Sequence, residues 1–398
     1  MVSDLIASIV LAIWVYLIAA RGGFWRTAQR DGETPSGSGP WPAVVAVIPA
    51  RDEAEGIGQT VTSLLRQTYP GALSVLVVDD QSSDATAEIA RNAAILIGAS
   101  DRLTVLPGKP LPAGWTGKLW AQQQGIAFAE AAAAPPAYLL LTDADIVYAP
   151  DALTNLVARA EQSGFVLTSL MAKLRCKSLA ERIFVPAFIF FFQMLYPFAW
   201  ANDPRRGTAA AAGGCMLVRR DALRNAGGVA AIRTALIDDC ALAKLLKQHG
   251  PISLTLTERV QSIRPYPAVA DFRRMVSRSA YAQLNYSPLY LAGTVIGLAL
   301  TYLAPVALAL FAGGVPQFIG IFTWLLMAFS FRRTLRFYGL SILWAPALPV
   351  IAAIYMAFTL DSAYQHARGR GGMWKGRAQA DLSKESNVSE APNVSEAQ

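Results

Sequence analysis

Three acidic clusters, each closing a short β-rich run, are the residues whose types and spacing could do chemistry. Pro49-Ala50-Arg51-Asp52-Glu53 follows Val44–Ile48 and precedes a helical stretch. A fixed acidic side chain beside the amides of a strand-to-helix turn suits the base or ribose of a nucleotide, although acidic helix starts are also common caps. Asp79-Asp80-Gln81-Ser82-Ser83-Asp84 follows Val75–Val78; its carboxylates could accept hydrogen bonds from a nucleobase or ribose, while Ser82, Ser83 or Asp84 opens the next helix. Thr142-Asp143-Ala144-Asp145 follows Tyr138–Leu141. Two carboxylates one residue apart can point at one divalent cation, and Mg²⁺ or Mn²⁺ prefers oxygen ligands and bridges diphosphate oxygens. An Asp-x-Asp alone is commonplace, but after two nucleotide-like strand ends it becomes specific.

Other chemistries are hard to build. His249 and His366 are the only histidines, and Cys176, Cys215 and Cys240 are widely spaced, which disfavours a Ser-His-Asp triad, a Cys-His pair, a zinc site or a disulfide framework. Catalysis therefore rests on carboxylates. Asp238 and Asp239 also qualify, although two aspartates at a helix start are favourable dipole partners in any protein. Gly213 and Gly214 allow either a close approach or a simple turn.

The elements that position these groups are legible from pattern. Helical stretches at Ile57–Gln67 and Asp84–Ala93 alternate with the three β-rich runs, which predicts an α/β domain with a mostly parallel, Rossmann-like sheet and ligands at the strands' carboxyl ends. Apolar residues are 54% of the 398-residue chain, so membrane spans are expected beside that domain. Leu5–Ala20 is followed by Arg21, Arg26 and Arg30, the reverse of a cleaved signal peptide, and reads as an anchor whose basic side is cytoplasmic. Leu289–Phe311 and Val315–Phe331 read as a helical hairpin whose return end, at Arg332, Arg333 and Arg336, is cytoplasmic. Leu340–Leu360, interrupted by Pro346 and Pro349, either spans or bends back; only bending back keeps Arg368, Arg370, Lys375 and Arg377 on the cytoplasmic side.

The expected organisation is an anchor at 1–21, a linker at 22–42, a catalytic domain at 43–288, a membrane region at 289–360 and a tail at 361–398 that ends disordered. Within the domain, the aromatic stretch Ile183–Trp200 is expected in the membrane interface near an acceptor channel. The net charge of +7 gathers beside apolar segments, a membrane-flanking pattern that does not fit a nucleic-acid partner.

The order of motifs over Val44 to about Gln283 resembles glycosyltransferase family 2, whose members are inverting enzymes of the GT-A fold. Pro49–Glu53 looks like that family's opening motif, with Asp52 where Asn or Asp is usual, and the resemblance implies donor contacts from Asp52, Glu53 and Asp80. Gly117-Lys118 looks like its Gly-Lys segment, which implies that Lys118 lies by the nucleotide or its phosphates. Asp143 and Asp145 match the metal motif, implying Mg²⁺ or Mn²⁺. Ala212-Gly213-Gly214-Cys215-Met216 resembles the acceptor-side glycine segment, and Asp239 takes the place of the catalytic base, with Asp238 where Glu is customary. The Gln-x-x-Arg-Trp motif of processive members is not kept: when Arg278 is aligned, Met275 and Ser279 hold the outer positions, which argues against a polymerising activity while leaving Arg274 or Arg278 to contact the leaving diphosphate.

Gly114-Trp115-Thr116-Gly117-Lys118-Leu119-Trp120, the Phe-rich stretch and Asn202-Asp203-Pro204-Arg205-Arg206 look most like the hopanoid-biosynthesis-associated membrane glycosyltransferases. That resemblance implies a bacterial inner-membrane enzyme with a nucleotide-sugar donor, UDP-sugars favoured, a lipid acceptor and an association with other hopanoid-pathway enzymes. A polyprenyl-phosphate glycosyltransferase and a non-catalytic membrane scaffold are the alternatives.

Overall fold

The computed structural model describes residues 1–35 and 40–372. Part of the expected linker, and the tail from 373 with Lys375 and Arg377, lie outside the described residues. The chain runs α1 (Val2–Ala19), β1 (Val44–Ala50), α2 (Ile57–Leu65), β2 (Leu73–Asp79), α3 (Thr86–Leu96), β3 (Leu103–Pro107), α4 (Gly117–Glu130), β4 (Tyr138–Thr142), β5 (Ile146–Tyr148), α5 (Ala152–Ser163) and β6 (Leu167–Leu174). It continues through α6 (Leu179–Leu195), α7 (Phe198–Ala201), β7 (Cys215–Arg219), α8 (Arg220–Asn225), α9 (Asp238–Leu246), β8 (Ile252–Ser262), α10 (Val269–Ser277) and α11 (Ala280–Gln283). Last come α12 (Pro288–Leu298), α13 (Ala304–Phe311), α14 (Gly314–Phe337) and α15 (Leu348–Ala367).

One eight-stranded sheet has the order β3-β2-β1-β4-β7-β6-β8-β5. Its first four strands are parallel, as expected, and β7 and β5 run against their neighbours. β1 shows why a continuous apolar run makes a central strand: Val44, Ala46, Ile48 and Ala50 enter one core layer and Val47 the opposite one, the period-two alternation of a strand buried on both faces. Pro49 is tolerated because β4 pairs β1 only as far as Val47, so its missing N–H lies past that ladder. Since β2, β1 and β4 are adjacent, their carboxyl ends bring the three acidic clusters to one edge.

A second core joins this domain to the apolar helices. α6 opens with a capping box, the Ser178 hydroxyl accepting from Glu181 N at 3.1 Å and the Glu181 carboxylate from Ser178 N at 2.8 Å. Phe184 and Phe190, both buried, pack on Phe272, Phe331 and Phe358, each burial stabilising by about 1.5–3 kcal/mol. One face of the aromatic stretch is thus committed to protein packing. Arg21 donates to the carbonyls of Met194 and Leu195 at 3.0 and 3.2 Å, satisfying the carboxyl end of α6. The 22–35 stretch is docked along β8, through Leu256 N to Gln29 O at 2.9 Å and Asp31 N to Leu256 O at 3.1 Å.

Among the described residues four helices are long and apolar enough to cross a membrane: Val2–Ala19, Pro288–Phe311, Gly314–Phe337 and Ile342–Ala367. The second and third are antiparallel. A Cβ on Gly320 would meet Ala309 N at 2.6 Å, so glycine is what lets them touch. The fourth resolves the question left open at Leu340–Leu360. It leaves from Leu340, bonded to Leu335 at the end of α14, and Pro346 reaches Trp324, halfway along α14, where the indole donates to its carbonyl at 3.0 Å. It ends with His366 stacked on Tyr286, two residues before α12 begins. Start and finish therefore lie on the catalytic-domain side, which places Arg368 and Arg370 there with Arg336.

Candidate active site

The first two acidic clusters hold each other. Asp52, with φ +50°, accepts from Ser83 N and Oγ at 2.7 and 3.0 Å, and its own N–H donates to Ser82 Oγ at 3.0 Å. Arg51 donates to Asp80 O at 2.6 Å and stands 3.8 Å from the fully buried Asp80 carboxylate. Pro49 is buried in β1 opposite Val78. Pro49, Asp52 and Asp80 are thus engaged through backbone and buried contacts. Glu53 turns inward, pairing with Arg264 at 2.8 Å.

Arg264 was not among the sequence-level candidates. It lies just past β8, bridging Glu53 to Asp145 at 3.2 Å, while Ser262 Oγ donates to the same Asp145 oxygen at 2.8 Å. Burial works against its charge, but Asp145 and Glu53 outweigh it and hold the guanidinium firmly protonated. Arg264→Ala leaves two largely buried carboxylates without their cation. Because the Arg264 side chain is 32% exposed, the cost is set below that of a fully buried pair, at about 1–3 kcal/mol. Thermal unfolding in detergent should show a midpoint several degrees lower; an unchanged midpoint would exclude this role.

The second half of the site forms around Lys118, at the start of α4. Its ammonium lies 2.9 Å from Asp143 and 3.0 Å from Asp238. Burial alone would lower its pKa, yet Asp143, Asp238 and Asp239 raise it and keep it charged. Asp239 Oδ2 accepts from Gly213 N at 2.9 Å and Oδ1 from Cys240 N at 2.7 Å. A Cβ on Gly213 would sit 3.2 Å from Lys118 Nζ and 3.4 Å from Asp239 Oδ2. Gly213 permits this close approach and, with Gly214, also forms the turn in which Cys215 N donates to Ala212 O at 3.1 Å, so the segment serves both readings. Burial, then the neighbouring Asp238 charge, push Asp239 up to about 6, against the opposing pull of Lys118 and the two amides. Burial likewise raises Asp143, with Lys118 opposing.

Arg278 is exposed at the end of α10 and acts electrostatically on Tyr266, which also feels Arg264, Asp145 and Asp143. Lys118, Asp143, Asp145, Asp239 and Glu53 are therefore gathered into one site, with Asp52 and Asp80 in its wall.

Asp143 and Asp145 have the hard-oxygen chemistry that Mg²⁺ or Mn²⁺ takes. Among the described residues no group of three or more His, Cys, Asp or Glu side chains could enclose a metal ion. A cation there would be held by one or two carboxylates and completed by substrate phosphates. The ammonium between Asp143 and Asp238 shows that the place holds positive charge.

Fold and site together define a class. Residues 45–227 match the family model described as Glycosyl transferase family 2, so the chain carries a domain of that family in a GT-A-like fold. Asp239, Arg264 and Arg278 lie beyond the matched segment. Among solved structures, the mannosyltransferase PcManGT from Pyrobaculum calidifontis, in complex with GDP-Man and Mn²⁺, is similar at TM-score 0.53 and 19% identity, over 87% of this chain and 99% of that one. Mannosyl-3-phosphoglycerate synthase from Rubrobacter xylanophilus follows at TM-score 0.39 and 18% identity, covering 65% and 80%. No curated protein matches the sequence.

Proposed function

We propose that this protein is an inverting, metal-dependent membrane glycosyltransferase that moves a sugar from a nucleotide diphosphate to a hydroxyl of a hopanoid-type lipid. The observation that carries the reading is the carboxylate of Asp239, fixed by two backbone amides beside the Lys118–Asp143 pair. Asp239 takes the proton of the acceptor hydroxyl. The oxygen attacks the anomeric carbon opposite the diphosphate, whose bond to that carbon breaks with the electron pair leaving on the diphosphate. A neutral hydroxyl is a poor nucleophile, so a positioned base is needed. Lys118, kept charged by its carboxylates, meets the phosphates. Asp143 and Asp145 would hold a divalent cation, which when bound supplies positive charge to the departing diphosphate. Glu53, with Asp52 and Asp80 behind it, faces the nucleoside, and the solved complex of PcManGT with GDP-Man and Mn²⁺ supports both donor class and metal. The apolar helices support placement in a membrane, with the basic helix ends and the catalytic domain facing the cytoplasm.

The test is nucleotide release and sugar transfer by purified protein, across UDP-, GDP- and dTDP-sugars with Mn²⁺ or Mg²⁺ and lipid acceptors. Release of one nucleotide that requires both metal and acceptor supports the reading; no binding and no turnover across the panel would favour a scaffold instead. A pH profile adds a second check. A base works only when deprotonated, and Asp239 is raised to about 6 from 3.8, so kcat should fall as pH drops through about 6. A profile flat down to pH 4.5 would remove Asp239 from this role.

A further inference from the structure

The turn that leaves α1 encloses a cavity. Gly22 and Gly23, with φ +62° and +60°, reverse the chain, and the Trp25 indole donates back to Ile18 O at 3.0 Å. A Cβ on Gly22 would sit 2.8 Å from Pro197 Cβ and 2.9 Å from Trp200 Nε1, so only glycine brings this turn against α7. α7 is fixed in its turn by Lys247, whose ammonium donates to the carbonyls of Ala201 and Thr208 at 2.7 and 2.6 Å. Between the turn, α6 and α7 lies a cavity of about 440 Å³ whose walls include Ala20, Gly22, Arg26, Gln193, Phe198 and Trp200.

Charge and depth select its occupant. Arg26 lines the cavity, and the guanidinium carbons of Arg21 and Arg206 lie 4.9 and 5.1 Å from the Trp200 ring centroid, so three cations meet at one place. Among the described residues none of the three has a carboxylate at ion-pair distance; Asp203, close to Arg206 in the chain, is already held by Arg205 at 2.9 Å. Gln193, buried, adds a neutral amide to the wall. The mouth lies where the apolar helix ends, since Ala19, Ala20 and Arg26 are all exposed. One turn back along α1, Val15 and Tyr16 are about half exposed, on the same side as Ala19 and Ala20. A strip of uncovered apolar surface thus runs along α1 into a pocket rimmed by cations.

Resting on the membrane placement above, we propose that this cavity binds the headgroup of an anionic glycerophospholipid, with an acyl chain laid along Val15, Tyr16 and Ala19 of α1. The phosphodiester oxygens accept from Arg26 and draw on the charge of Arg21 and Arg206, and a headgroup hydroxyl reaches the Gln193 amide. A zwitterionic headgroup brings a further cation to a site that already holds three, so phosphatidylcholine is disfavoured. The bound lipid bridges α1, α6 and α7 and so stabilises the junction between anchor and catalytic domain.

The experiment uses full-length protein in dodecylmaltoside micelles, titrated with phosphatidylglycerol or phosphatidylcholine of the same chains. Binding is read by native mass spectrometry and by the thermal midpoint. Phosphatidylglycerol should bind at least about tenfold more tightly and raise the midpoint. Arg26→Gln and Arg206→Gln, both at exposed positions, should each weaken its binding about fivefold. Ala28→Trp fills the cavity from an exposed wall position with every arginine in place, and should weaken it at least as much. Arg333→Gln, exposed near the end of α14, should leave it unchanged. Equal affinity for the two lipids would overturn the proposal. So would an equal loss in Arg333→Gln or full binding in Ala28→Trp, either of which reduces the site to diffuse attraction by a basic surface. Displacement of the lipid by millimolar inorganic phosphate would also overturn it, because a free anion would then be the occupant. Full-length protein that stays monodisperse without detergent would overturn the membrane placement first.

Discussion

Asp239→Asn is expected to lower kcat by about 10²- to 10⁴-fold while leaving the nucleotide-sugar Kd within about twofold. The amide has the shape of the carboxylate but cannot take a proton, so the loss falls on the step in which the acceptor hydroxyl is activated. One side effect is built into the geometry. Gly213 N–H and Cys240 N–H each donate to one oxygen of Asp239, and the asparagine can accept from only one of them. A lost hydrogen bond costs about 1 kcal/mol, or a factor of about 5 in an equilibrium, too little to imitate loss of a general base. Single-turnover rates at saturating donor separate the two. A loss of less than tenfold would assign the proton to another group.

Asp145→Asn should weaken Mn²⁺-dependent nucleotide-sugar binding by about 10- to 100-fold, through a donor set that has lost its charge. The Mn²⁺ concentration giving half-maximal binding should rise in parallel, which equilibrium binding and the electron paramagnetic resonance of Mn²⁺ report without any turnover. The substitution also touches the ion-pair network, because Asp145 accepts from Ser262 and Arg264. Both donate to the same oxygen, which asparagine can keep in place, and Arg264 retains Glu53, so the fold should survive where Arg264→Ala weakens it. Unchanged Mn²⁺ titration curves would show that the cation is held elsewhere.

Much of this arrangement is visible in the chain as written. Short apolar runs ending in carboxylates specify strands whose ends can do chemistry, because period-two burial and strand length are local properties. Two histidines and three scattered cysteines leave carboxylates as the chemistry available, and runs near twenty apolar residues mark helices of membrane length whatever the rest does. Gly213 stayed ambiguous, since a turn and a close approach ask for the same residue; the structure uses it for both, a turn closed by Cys215 N and Ala212 O and an approach to Lys118 and Asp239.

What only the tertiary structure decided is which charges meet. Lys118 and Asp238 are 120 positions apart, and Glu53 and Arg264 are 211 apart, so their pairing depends on crossovers that place β4, β7 and β8 in one sheet. No periodicity records a partner at that range, which is why Arg264 was silent in the sequence. The return of the last apolar segment to the catalytic-domain side was likewise undecidable from composition, because a span and a bent-back helix bury the same residues. Packing against α10, α11 and α14 selects between them, since a hydrophobic run sets how much surface must leave water but not which neighbour covers it.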